Sequence, residues 1–166
     1  YEMFVVPFEE NVQWTEEGIN GAYRFLSRVW RWATAALPEY DPAWREILPA
    51  AEIGAGERKL RRKLHQTLRK VGEDLEGFHF NTAIAALMEL VNELYAYRAT
   101  SASSATPAQP TVISEALETL ALLLAPFAPH LADELWERLG KSGSTYHAAW
   151  PTFDPAVAAE DEITLV

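Results

Sequence analysis

The residue types able to do chemistry in this sequence are gathered mainly in one stretch. Arg58, Lys59, Arg61, Arg62, Lys63, Arg69 and Lys70 make up 7 of the 14 Lys and Arg residues among 166. Cations this dense along one helix suit a surface that follows the phosphates of a nucleic acid, where each phosphate neutralised adds roughly 0.7 to 0.9 to the salt slope. The opposing reading is a solvated helix face whose charges pair with acids elsewhere in the chain. Both stand, because the remaining sequence is acidic. Residues 1–70 carry 11 Lys+Arg against 10 Asp+Glu, net +1, whereas residues 71–166 carry 3 against 14, net −11. Arg24, Arg28 and Arg31, spaced i, i+4 and i+7, form a second and weaker basic stripe.

Other chemistry is absent. There is no Gly-rich phosphate loop, no H-E-x-x-H, no G-x-S-x-G and no Cys/His grouping. His65, His79, His130 and His147 are scattered and read as surface or hydrogen-bonded structural residues. The paired acids Glu73/Asp74 and Asp133/Glu134 read as solvated helix faces, and the six tryptophans as packing residues. We therefore expect no catalytic residue, no metal ligand and no cofactor held by this chain. Zero cysteines exclude disulfides and thiolate sites. No apolar run approaches the roughly 20 residues of a membrane-spanning helix, so no membrane partner is expected and a cytoplasmic setting is. The first residue is Tyr1 and no leader pattern follows, which suggests a piece of something longer.

The elements that must position these residues are helices. The longest apolar run lies in TVISEALETLALLLAPFAPHLADELWERLG, Thr111 to Gly140. A helix over about Val112 to Ala125 is apolar around more than half its circumference and so belongs at the centre. Pro126 ends it, Pro129 opens the next helix, and Gly140 is suited to the C′ position after Leu139. Upstream, Thr15 is a helix cap, and the pattern to about Leu37 places Ile19, Tyr23, Leu26, Trp30 and Ala33 on one apolar stripe with Val29 beside it. Pro38 to Gly56 reads as mostly irregular, with a short turn at Ala43 to Leu48 that packs Trp44 on the bundle. The basic helix runs over about 57–76, burying Leu60, Leu64, Leu68, Val71 and Leu75, and Gly77 ends it. Asn81 is expected to cap a helix over about Thr82 to Arg98 that buries Ile84, Leu87, Met88, Val91, Leu94 and Tyr95. Thr100 to Pro110 reads as a flexible surface connection, and the closing ITLV as β-prone. The fold class is all-α, a bundle of about five main helices. Residues 1–14 are expected to be a connector, 15–154 the helical domain and 155–166 a tail.

Four segments together, GAYRFLSRVWR, LRRKLHQTLRKVGEDLEGFHFNTAIAALMELVN, LETLALLLAPFAPHLADELW and HAAWPTFD, resemble the helical anticodon-binding domain of class I aminoacyl-tRNA synthetases. R-F-L-x-R-V-W-R combined with A-P-F-A-P-H is similar to the bacterial leucyl enzymes; valyl and isoleucyl enzymes carry related bundles. The resemblance implies that a complete enzyme activates leucine with ATP, with Mg, and transfers it to tRNA at upstream sites absent here, since neither H-I-G-H nor K-M-S-K-S occurs in this sequence. It also implies partners: leucine tRNA, an upstream catalytic domain and a C-terminal domain. Matched onto the motifs, the expected tRNA contacts are Arg24, Arg28, Arg31, Arg61, Arg62, Lys63, Arg69 and Lys70. A helical protein-interaction module with an acidic half is the alternative of another class.

Overall fold

The computed structural model describes residues 1–5, 13, 15–101 and 106–159. Among these there are helices and turns and no strand. The helices are α1 (Glu2–Val5), α2 (Glu16–Ala36), α3 (Trp44–Ile47), α4 (Ala55–Glu76), α5 (Phe80–Ser101), α6 (Gln109–Leu124), α7 (Pro129–Arg138) and α8 (Pro155–Ala158). Five of them are long, as the apolar periodicity predicts.

Helix α6 is the axis of the bundle, with every residue from Thr111 to Leu124 buried. A helix apolar around more than half its circumference belongs at the centre, and α2, α3, α4 and α7 pack around it. Ile113, Leu120, Leu123 and Leu124 meet Val29 and Trp32 from α2, Leu60 and Leu64 from α4, and Leu87 and Leu94 from α5 in one core. The corner after α6 turns as Pro126 and Pro129 require. The Ala128 amide donates to the Leu124 carbonyl at 2.8 Å, and Pro129 sits in the first turn of α7.

The α4–α5 turn ends α4 at Gly77 as expected, but its left-handed residue and the start of α5 differ from what glycine and asparagine chemistry suggest. Gly77 is the C-cap of α4 but its φ is −87°; the left-handed residue is Phe78, at φ 58°. The His79 amide donates to the Asp74 carbonyl and the Phe78 amide to that of Leu75, the two bonds of a Schellman ending with phenylalanine where glycine is usual. The chain then enters α5 directly at Phe80, so Asn81 lies inside the helix and caps nothing. At the end of α7 the expected glycine is in place: Gly140 has φ 74°, and its amide and that of Lys141 donate to Glu137 and Trp136. Nothing lies within 4 Å of a Cβ built on Gly140. Gly140→Ala should therefore cost about 1 kcal/mol from backbone conformation alone, measured as a lower urea midpoint at unchanged m-value.

The α2 stripe is a second correction. Phe25, Val29, Trp32, Ala33 and Ala36 are the buried set, while Tyr23 is 70% and Ile19 41% exposed. Apolar residues cover so much of α2 that periodicity permits two faces about 100° apart, and packing against α5 and α6 selects the one bearing Phe25 and Trp32. Trp30 is half-buried, with the Arg138 guanidinium 4.7 Å from its ring centroid. Thr100 and Ser101 belong to α5, Gln109 opens α6 and Ala108 is buried, so the connection is shorter than Thr100 to Pro110. The segment thought to be a tail is helical at 155–158 and docks on α4, where Gln66 donates to the Ala158 carbonyl at 3.0 Å. The ITLV segment and most of the expected connector lie outside the described residues.

Candidate nucleic-acid interface

Helix α4 sorts its cations by the side of the helix they occupy. On the side toward α5, Lys59 pairs with Glu93 at 2.7 Å and Lys63 with Glu89 at 2.6 Å; Lys70 pairs with Asp74 at 2.7 Å one turn along. On the side toward α6, Arg61 is only 15% exposed and holds both carboxylate oxygens of Glu115, at 2.6 and 3.1 Å. These four match the reading of a face neutralised by acids elsewhere. A third side carries Arg58, Arg62 and Arg69. Arg58 is exposed and, among the described residues, donates to the Ile53 carbonyl alone, at 2.5 Å. Arg69 is exposed and makes no hydrogen bond or ion pair with a described residue. Arg62 is half-buried and lines an open groove of about 820 Å³ with Arg58, Arg61, Leu48, Ile53 and Val157. Arg58 and Arg69 stand about 16 Å apart along the helix, at 1.5 Å per residue.

On α2 the three arginines also divide. Arg28 donates to the Asn92 side chain at 2.8 Å, stacks 5.2 Å from the Tyr95 ring, and its carbonyl accepts from the Tyr95 hydroxyl; it fastens α2 to α5. Arg24 and Arg31 are exposed, Arg31 donating only to the Ser27 carbonyl one turn back. The eight residues matched from sequence therefore do not form one surface. Arg28, Arg61, Lys63 and Lys70 have protein partners. Arg24, Arg31 and Arg69 present charge that no described acid neutralises, and Arg58 joins them.

Sequence reasoning did not find the buried acids of α6, because Glu115 and Glu118 look like the polar face of an amphipathic helix. Glu118 accepts from the Tyr40 hydroxyl at 2.5 Å and the Trp44 indole at 3.0 Å, with Arg45 at 2.6 Å and Lys141 at 2.7 Å. Burial pushes its carboxyl up, but those donors and cations together hold it below the usual carboxylate range. Burial likewise opposes ionisation of Glu115, and the His65 and Arg61 side chains outweigh it. His65 Nδ1 accepts from the Asp154 amide at 2.8 Å, so Nε2 carries the proton facing Glu115 at 3.1 Å. Glu57, also buried, is held below the usual range against the effect of burial, by Thr106, its own amide, Tyr97 and Gly54. These acids fix the long connections to α6 and α4. Among the described residues no group of three or more His, Cys, Asp or Glu could hold a metal ion, and no helix is long and apolar enough to cross a membrane.

An all-α bundle around a central helix, with a Pro-Phe-Ala-Pro corner between α6 and α7, defines the class of helical domain to which the chain is compared. Residues 57–166 match the family described as the anticodon-binding domain of tRNA ligase, and the chain belongs to that family. Within it, the chain is 44% identical over 167 residues to a leucine–tRNA ligase of Citrifermentans bemidjiense, covering 100% of this chain and 20% of that protein. It is 46% identical over 168 residues to the leucine–tRNA ligase of Solibacter usitatus, covering 99% and 19%. The chain thus spans about a fifth of these relatives. The crystal structure of the ternary complex of Agrobacterium radiobacter K84 agnB2 LeuRS with tRNA and LeuAMS superposes with a TM-score of 0.76 at 31% identity, over 95% of this chain and 19% of that one. The likeness to leucyl enzymes read from the motifs agrees with these matches.

Proposed function

We propose that this chain is the tRNA-positioning helical domain of a leucine–tRNA ligase. It holds leucine tRNA mainly through the phosphate backbone, so that the acceptor end reaches a catalytic domain elsewhere in the longer protein. The observation that carries the reading is the arginine face of α4: no described acid pairs with Arg58 or Arg69, on a helix where Lys59, Arg61, Lys63 and Lys70 are each paired with one. Its neighbourhood among leucine–tRNA ligases and a LeuRS–tRNA complex supports the choice of RNA. Arg24 and Arg31 on α2 are the second contact set. Phosphate contacts fix register and orientation without reading bases, and binding energy gained far from the reacting groups then lowers the entropic cost of bringing them together. On this reading ATP with Mg, leucine activation and transfer belong to the upstream part of a longer enzyme, since the chain spans about a fifth of its leucine–tRNA ligase relatives. The C-terminal domain and the catalytic domain are the proposed partners within the same chain, in the cytoplasm.

The test is a salt titration of binding between this chain and leucine tRNA, with a non-cognate tRNA as control. The logarithm of affinity should fall linearly with the logarithm of salt concentration, with a slope of about −2 to −4 for three or four phosphate contacts. Absence of binding at low salt would overturn the reading for this chain.

A further inference from the structure

A second surface on the same side of the bundle has the form of a stacking ledge. The segment after α7 folds as a 3₁₀ turn, Thr145–His147, and then runs extended to Asp154, where the backbone reaches His65 of α4. Asp133 of α7 fixes the turn: its carboxylate accepts from the Thr145 amide at 2.8 Å, the Thr145 hydroxyl at 2.5 Å and the Ser144 hydroxyl at 3.0 Å. Ser144 Oγ in turn accepts from the Tyr146 amide at 3.1 Å. The backbone of Tyr146 is therefore held rigidly while its ring is 86% exposed, standing edge-on to His147 at 5.1 Å. Beside it lies an apolar recess of about 350 Å³ lined by Leu122, Pro126, Pro129, Ala148 and Trp150 among others. Trp150 is 42% exposed and leans toward α4 at Gly72, where a Cβ would stand 4.0 Å from its indole nitrogen. Arg69 precedes Gly72 by three residues and so shares that side of α4.

We propose that Tyr146 and Trp150 form a binding site for a single unstacked nucleobase of an RNA, with its phosphate directed to Arg69. The inference rests on the tRNA-binding reading and adds a subsite to it. An exposed ring on a fixed backbone, beside an apolar recess, offers what a base needs when it leaves its own stack: a flat apolar face. The charge around the ledge separates base from backbone. Asp133 stays ionised while it accepts from Thr145 and Ser144, and Glu73 and Glu76 lie past Gly72 toward the end of α4. These acids repel a phosphate there and leave a neutral base unopposed, which puts the phosphate at Arg69. Unpaired nucleotides in the loops of a tRNA are the RNA elements whose bases are free to splay in this way.

The experiment measures binding of the 166-residue chain to leucine tRNA, to a fluorescein-labelled single-stranded RNA decamer and to a blunt RNA duplex. Three forms are compared: wild type, Tyr146→Ala and Tyr146→Phe. Because the Tyr146 ring is exposed, its removal leaves the core intact, and circular dichroism confirms this. Tyr146→Ala should weaken decamer and tRNA binding about fivefold to 100-fold, with an unchanged salt slope and unchanged duplex binding. Tyr146→Phe keeps the ring and should bind as wild type. Wild-type affinity in Tyr146→Ala, with tRNA still bound in a salt-dependent way, overturns the ledge and leaves the tRNA reading standing; the recess would then serve another chain segment or protein. Equal weakening toward the duplex overturns it too, because stacking cannot act on paired bases. Failure of the wild type to bind any RNA overturns both readings.

Discussion

Replacing Glu118 by alanine is expected to lower the unfolding free energy by about 3 to 5 kcal/mol, the usual result of removing one member of a buried charged network. For a chain of this length that is a fall in thermal midpoint on the order of 10 °C, read by circular dichroism. The size follows from how many groups converge on one carboxylate. Tyr40 comes from the connection after α2, Trp44 and Arg45 from α3, and Lys141 from the loop after α7. Without the acid, two cations and two donors converge on an empty space next to α6. Arg45→Gln should cost much less, since its side chain is largely exposed and regains water. The pH dependence has a definite sign. Glu118 titrates below its unfolded value, so its contribution is complete above the ordinary carboxylate value near 4.3 and is lost as pH falls through the lower folded value. The stability gap between wild type and Glu118→Gln should thus be constant above about pH 5 and close in acid. A loss under 2 °C in Glu118→Ala would mean that apolar packing of Trp44 alone holds the connection.

That carboxylate also marks where the sequence stops being legible. Periodicity identifies α6 as central because its apolar residues wrap the helix, and proline and glycine chemistry locates the α6–α7 corner and the end at Gly140. Periodicity cannot say that Glu115 and Glu118 point inward, since two acids three residues apart on an otherwise apolar helix look like its solvent side. Their partners, Arg61, Tyr40 and Lys141, lie 23 to 78 residues away in sequence, and only the tertiary arrangement joins them. On α2 the same limit picks the wrong stripe, because Tyr23 and Ile19 match the helical period as well as Phe25 and Trp32 do. At Phe78 the local rule itself is broken: Gly77 is next door, yet the bulky residue takes the left-handed position. For the candidate site, residue type and spacing located the basic helix. Which of its cations remain available was decided by Glu89, Glu93 and Glu115 on neighbouring helices.

Arg58→Gln combined with Arg69→Gln is expected to weaken leucine tRNA binding by about 100-fold to 10,000-fold at low salt. Each arginine is assigned one charge-assisted contact of about 1.5 to 3 kcal/mol, and 1.4 kcal/mol is a factor of ten. The salt slope should fall in magnitude by about 1.4 to 1.8 as two phosphate contacts disappear. Lys59→Gln combined with Lys63→Gln removes the same formal charge from the same helix, and the two outcomes should differ. Those lysines already face Glu93 and Glu89, so their loss also frees two carboxylates of α5 from pairing while removing little field that an RNA could use. A change of no more than a few fold is expected for the lysine pair, with little effect on stability because both ion pairs are exposed. Arg58 and Arg69 are exposed as well, so circular dichroism should show both double variants folded. If the two pairs weaken binding equally, attraction is a property of the net charge of α4 and no arginine face exists. If the arginine pair has no effect while the wild type binds, the contact passes to Arg24 and Arg31 on α2. On the proposed function, leucine-dependent pyrophosphate exchange by the longer ligase should be unchanged by the arginine pair, because contacts that position tRNA phosphates do not enter the activation step.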